Sequence, residues 1–102
     1  MIELNDQNYK DLLQVNSKVV IKFYAGWCGS CRLIAPKFQA LSEKAEYEDV
    51  FFAEANAELN PELRALAGVN NLPFFASFKN GQLAAGFPSA KIEAVEELTK
   101  AI

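Results

Sequence analysis

Histidine is absent from this 102-residue chain, and cysteine occurs only twice. A closed zinc site takes four ligands, so two sulfurs without imidazole leave such a site half built. No apolar run approaches the ~20 residues that a helical membrane span needs; the run LPFFASF at residues 72–78 is far shorter. A basic surplus is missing as well: ten Lys and Arg against thirteen Asp and Glu give a formal charge of −3, which supplies no field for a phosphate backbone. Neither nucleic acid nor a membrane is an expected partner. The opening residues, MIELNDQNYK, carry acids and amides where an export signal carries a basic start and an apolar stretch. The expected compartment is therefore the cytoplasm. Internal repeats, low-complexity tracts and linker-like runs are also lacking, so residues 1–102 read as a single domain.

What is present is a hydrophobic fraction of 51% with 23% charged residues, enough to bury one core at this length. Tyr9, Leu12 and Leu13 recur at helical spacing, with Asn5 or Asp6 before them as a cap. Residues 18–25 (KVVIKFYA) are β-branched and aromatic on both faces, which suits a central strand. Ile34, Phe38, Leu41 and Ala45 then form one stripe of a long helix that contains Pro36. Residues 50–55 read as a second buried strand. Asn60 and Pro61 open another helix and Gly68 closes it. Residues 74–85 read as a hairpin about Asn80-Gly81. Ser89 caps a last helix with Ile92, Val95 and Leu98 inward and Glu93, Glu96 and Glu97 in water. A short strand at residues 2–4 begins the chain. Strands alternating with helices predict parallel pairing, and the hairpin adds an antiparallel edge, so the expected class is α/β with a mixed sheet between helices.

Both cysteines fall in AGWCGSCR, residues 25–32, just after the predicted central strand. As a cross-link, a loop this short removes little unfolded-state entropy. As a metal site, the pair needs carboxylates or a second chain to complete it, the latter giving a zinc or iron–sulfur centre that bridges a dimer. As a redox dithiol it uses its surroundings. Cys28 at the first turn of the following helix faces free backbone N–H groups and the positive end of the helix dipole. Both favour thiolate, the nucleophilic form. Cys31, nearly one turn deeper, is placed to attack a mixed disulfide formed on Cys28. A binding module in which the thiols are incidental stays open beside these readings.

The segment FYAGWCGSCRLIAP, residues 23–36, resembles the active-site segment of thioredoxins, and NP at 60–61, GVNNLPFFASFKNG at 68–81 and the last helix extend the resemblance along nearly the whole chain. It implies a thioredoxin fold, a central mixed β-sheet flanked by helices on both faces. It also implies a monomeric protein-disulfide oxidoreductase that needs no bound cofactor and receives electrons from a disulfide reductase. Cys28 would attack and Cys31 resolve. Pro73 would be a cis-proline beside them, with Leu72 pairing to a substrate backbone. Trp27 would frame an apolar docking face with Gly29, Ala57, Asn71 and Leu72.

The chain departs from that family at four places. Ser30 stands where proline usually separates the cysteines, Ser89-Ala90 replaces a Gly-Ala pair, and Phe74 follows the cis-proline in place of threonine. The fourth departure is an inversion of charge. The family's buried aspartate aligns with Lys22, and the lysine of the neighbouring strand aligns with Glu54. Each of these residues is the single charge in its apolar stretch, VVIKFYA and FFAEAN, where an unpaired ion costs several kcal/mol. A Lys22–Glu54 contact below Cys31 answers both costs, and Glu54 could then take the Cys31 proton. The alternative is that both side chains snorkel to a sheet edge. Thiolate stabilisation by Lys22, together with Ser30, predicts a less reducing couple than is typical of the family.

Overall fold

In the computed structural model, which describes residues 1–102, strands and helices alternate. They are β1 (Ile2–Glu3), α1 (Tyr9–Val15), β2 (Lys18–Tyr24), α2 (Gly29–Ser42), a 3₁₀ turn (Ala45–Tyr47), β3 (Phe51–Asn56), α3 (Pro61–Ala67), β4 (Phe74–Lys79), β5 (Gln82–Pro88) and α4 (Ile92–Lys100). The sheet order is β1-β3-β2-β4-β5. β1, β3 and β2 run parallel, whereas β4 and β5 pair antiparallel. The class expected from alternation and the final hairpin is the one observed.

Strand periodicity divides the core. Val19, Ile21 and Phe23 point to one face, where they meet Tyr9 and Leu13 of α1 and Leu63 and Ala67 of α3. Val20 points to the other, against Ile34, Phe38 and Leu41 of α2 and Val95 and Leu98 of α4. Phe38 anchors this second layer, its ring centroid 5.6 Å from that of Phe52 and 5.3 Å from that of Phe75. Lys22 follows Val20 on the α2 face, the same side as the cysteines. The hairpin turn uses Asn80 and Gly81 at φ 52° and 82°, the paired left-handed conformation of a two-residue connection. Gly68, at φ 73°, closes α3 as expected.

Six local expectations are corrected. Asp6 caps α3 rather than α1: its carboxylate accepts from the N–H groups of Glu62 and Leu63 at 3.1 and 2.9 Å. Asn60, the expected cap, turns away to accept the Asp6 N–H and to donate to the Asn56 carbonyl, each at 3.0 Å. Ala45 leaves the stripe, because α2 stops at Ser42, whose hydroxyl donates to the Gln39 carbonyl. Tyr47 fills that end of the layer instead, and its hydroxyl donates to Glu96 at 2.7 Å. Glu96 is thus half-buried rather than immersed in water; the Tyr47 hydroxyl, then Lys44, holds its carboxyl below the usual range. Ser89 makes a hydroxyl turn to the Lys91 N–H (3.0 Å) ahead of α4, which begins three residues later. β5 also runs past residue 85 to Pro88, tolerated because it is an edge strand.

The Asp6 contact predicts that Asp6→Ala lowers stability by about 1 kcal/mol, the usual cost of losing a helix cap. Urea unfolding at neutral pH checks this through a lower midpoint at constant slope.

Candidate active site

After Tyr24 the chain turns, with the Cys28 N–H donating to the Ala25 carbonyl at 3.2 Å. Cys28 has the extended backbone of a capping residue (φ −84°, ψ 106°), and α2 starts at Gly29. Its sulfur occupies the place of a cap oxygen, accepting the Cys31 N–H at 3.2 Å. The two sulfurs form a disulfide across Cα atoms 5.3 Å apart. The Ser30 hydroxyl lies 3.6 Å from the Cys28 sulfur. In this oxidised state Cys28 and Cys31 are 4% and 3% exposed. Cys31 is expected to lie deeper than Cys28; the structure buries them alike, with the Cys28 sulfur bonded to Cys31 and covered by its N–H.

Lys22 and Glu54 face one another in register on parallel β2 and β3. Their Nζ and Oε2 atoms are 3.3 Å apart, with side chains 6% and 27% exposed. The ammonium also lies 5.7 Å from the Tyr24 ring centroid and 5.9 Å from that of Phe38, within the reach of cation–π attraction. Lys22 therefore does not snorkel away. A pocket of about 260 Å³ is lined by Cys31, Lys22, Glu54, Tyr24 and Arg32, among others. That volume has room for water.

The thioredoxin family model matches residues 1–102. The chain belongs to the thioredoxin family. Among curated relatives it is similar to Thioredoxin-1 of Schizosaccharomyces pombe, at 36% identity over 93 residues and 88% of each chain. It is also similar to the thioredoxin of Alicyclobacillus acidocaldarius, at 34% identity over 95 residues, 89% of this chain and 90% of the relative. Among solved structures, oxidised mitochondrial thioredoxin 3 from Saccharomyces cerevisiae superposes with a TM-score of 0.90 at 31% identity, over 100% of this chain and 95% of that one. The fold is thus the thioredoxin fold, and the protein is a thiol–disulfide oxidoreductase with Cys28 and Cys31 as its dithiol pair.

Around this thioredoxin dithiol the remaining expected residues fall into two groups. Asn71, Leu72 and Pro73 line a groove of about 270 Å³ with Ser30, Ser89 and Ala90. The Leu72-Pro73 peptide bond is cis, as the resemblance implied. Trp27 and Gly29 lie outside that groove on exposed surface. Trp27 is 66% exposed, and its indole N–H donates to Glu58 at 2.8 Å. Ala57 is corrected: at 1% exposure its methyl belongs to the core beneath the surface, and its N–H is held by the Tyr24 carbonyl.

Three neighbours of the pair escaped the sequence reading. Arg32 donates to the Gly26 carbonyl and so ties the first turn of α2 to the loop before it. The Tyr24 hydroxyl donates to Glu3 at 2.6 Å, and Glu3 is in register with Glu54. Burial, followed by the bond to Glu3, pushes the Tyr24 phenol well above its ordinary range. The available signal was the alternation in IEL at residues 2–4, which sends Glu3 to the face opposite Ile2 and Leu4.

Proposed function

We propose that this thioredoxin-family protein exchanges disulfides with protein substrates through Cys28. The thiolate of Cys28 attacks a substrate disulfide and expels one substrate thiolate. Cys31 then attacks the Cys28 sulfur, releases the second thiolate and closes the Cys28–Cys31 disulfide. Two electrons pass from the dithiol to the substrate, and a disulfide reductase returns them. The observation that carries this reading is the Cys28 sulfur in the capping position of α2, joined to Cys31. The groove at Asn71, Leu72 and Pro73 supplies a backbone-lined approach for an extended peptide. The Leu72 N–H is held by the Asn71 side chain at 2.9 Å, so a docking strand pairs first with the Leu72 carbonyl. Trp27 and Gly29 extend the contact face beyond the groove. One domain, a monomeric state and a cytoplasmic location complete the reading.

Lys22 and Glu54 adjust this chemistry. Glu54 accepts the Cys31 proton through the shared pocket, and the Lys22 ammonium favours negative sulfur. Stabilised thiolates favour the reduced dithiol, so the couple is less reducing than that of typical thioredoxins.

Two results follow. Cys31→Ser accumulates a covalent mixed disulfide with a model protein substrate, whereas Cys28→Ser forms none and shows no turnover. Intact-protein mass spectrometry distinguishes them, and peptide binding without any adduct in Cys31→Ser would favour the plain binding module. Lys22→Asp combined with Glu54→Lys makes the potential more negative on equilibration with glutathione; an unchanged or more oxidising value removes the electrostatic argument.

A further inference from the structure

Glu3, Glu54 and Lys22 stand in one line across β1, β3 and β2, each in register with the next. Lys22 neutralises only one of the two carboxylates. Side by side on one face, two carboxylates repel one another unless they share a proton. Both are nevertheless held: Glu54 by Lys22 at 3.3 Å, Glu3 by the Tyr24 hydroxyl at 2.6 Å. Their placement differs in one respect. Glu54 is half-buried and opens on the pocket that Cys31 lines, whereas Glu3 is exposed on the edge strand.

We propose that Glu3 and Glu54 form a carboxyl pair in which Glu54 receives the Cys31 proton and Glu3, aimed by Tyr24, passes it to solvent. This rests on Glu54 being the base for Cys31. The Cys31 thiol gives its proton to Glu54, and the resulting thiolate attacks the Cys28 sulfur of the mixed disulfide. The Cys28–substrate bond breaks, and the leaving substrate thiolate takes a proton from water. The proton on Glu54 moves to Glu3 and then to water, so protons and electrons balance. Glu3 touches neither sulfur and is a positioning residue.

Every charged or titratable group facing Glu54 is accounted for: Lys22 and Tyr24 on β2, Glu3 on β1, Cys31 and Arg32 on α2. Glu3 is the single second carboxyl among them. Although Glu3 is exposed overall, partial desolvation of its carboxyl on the sheet raises it above its ordinary range; the Tyr24 bond opposes the shift, Glu54 reinforces it and Lys22 opposes it.

A chromogenic aryl disulfide separates the two steps, because it releases one thiolate on attack by Cys28 and a second on attack by Cys31. Stopped-flow measurement of both phases from acidic to neutral pH tests the proposal. Glu3→Gln removes a like charge from beside Glu54. The midpoint of the second phase moves to lower pH by about half a unit, the order expected for one water-screened charge on a neighbouring strand. Its plateau falls several-fold, the first phase is unchanged, and Glu3→Asp restores the midpoint. An unmoved midpoint in Glu3→Gln, or equal slowing of both phases, overturns the role of Glu3 if Glu54→Gln still slows the second phase. A second phase untouched by Glu54→Gln overturns the base itself and the pair with it.

Discussion

A backbone N–H of Cys31 pointing at the sulfur of Cys28 is the contact on which the site depends. It exists because β2 delivers the chain to the head of α2 and Cys28 adopts a capping conformation there. A hydroxyl or carboxylate in that position would satisfy the helix and do nothing further. A sulfur satisfies the helix and gains a reason to ionise, since free N–H groups and the helix dipole favour the anion. Structure and reactivity thus share one interaction. The same turn sets Cys31 within bonding distance, so capture and release are performed from adjacent positions.

The sheet beneath supplies a second constraint. Parallel register between β2 and β3 forces Lys22 and Glu54 together on the α2 face, where either alone would be a costly ion among Phe38, Phe52 and Phe75. The family resemblance places the acid on the central strand and the base on its neighbour; this chain holds the reverse. An exchange of that kind preserves the pair while changing which charge lies deeper. Here the ammonium is the more buried partner, and α2 adds Arg32 to the same pocket. Both charges of the pair thus line the pocket that Cys31 shares.

Much of this was legible in the sequence because the signals were short-ranged. The two-residue spacing of the cysteines, the apolar run of residues 18–25, Asn80-Gly81 and Gly68 each act within a turn or a strand, and each took its expected form. The Lys22–Glu54 contact was also readable, since two isolated charges in neighbouring apolar strands have few other resolutions. What escaped depended on long-range approach. Asp6 caps a helix more than fifty residues away, Tyr47 replaces Ala45 by reaching Glu96 on α4, and Ala57 sinks under the surface because it continues interior strand β3, its N–H held by Tyr24 of β2. Glu3 was passed over for the same reason: two residues of strand do not announce their partner until β3 is laid beside them.

The most direct test is the pH dependence of Cys28 alkylation in the reduced protein. If the helix head holds this sulfur as an anion, the rate rises with a midpoint near pH ~7, against about 8.5 for an unperturbed thiol. A midpoint at the free-thiol value, with no excess rate at neutral pH, would contradict the account.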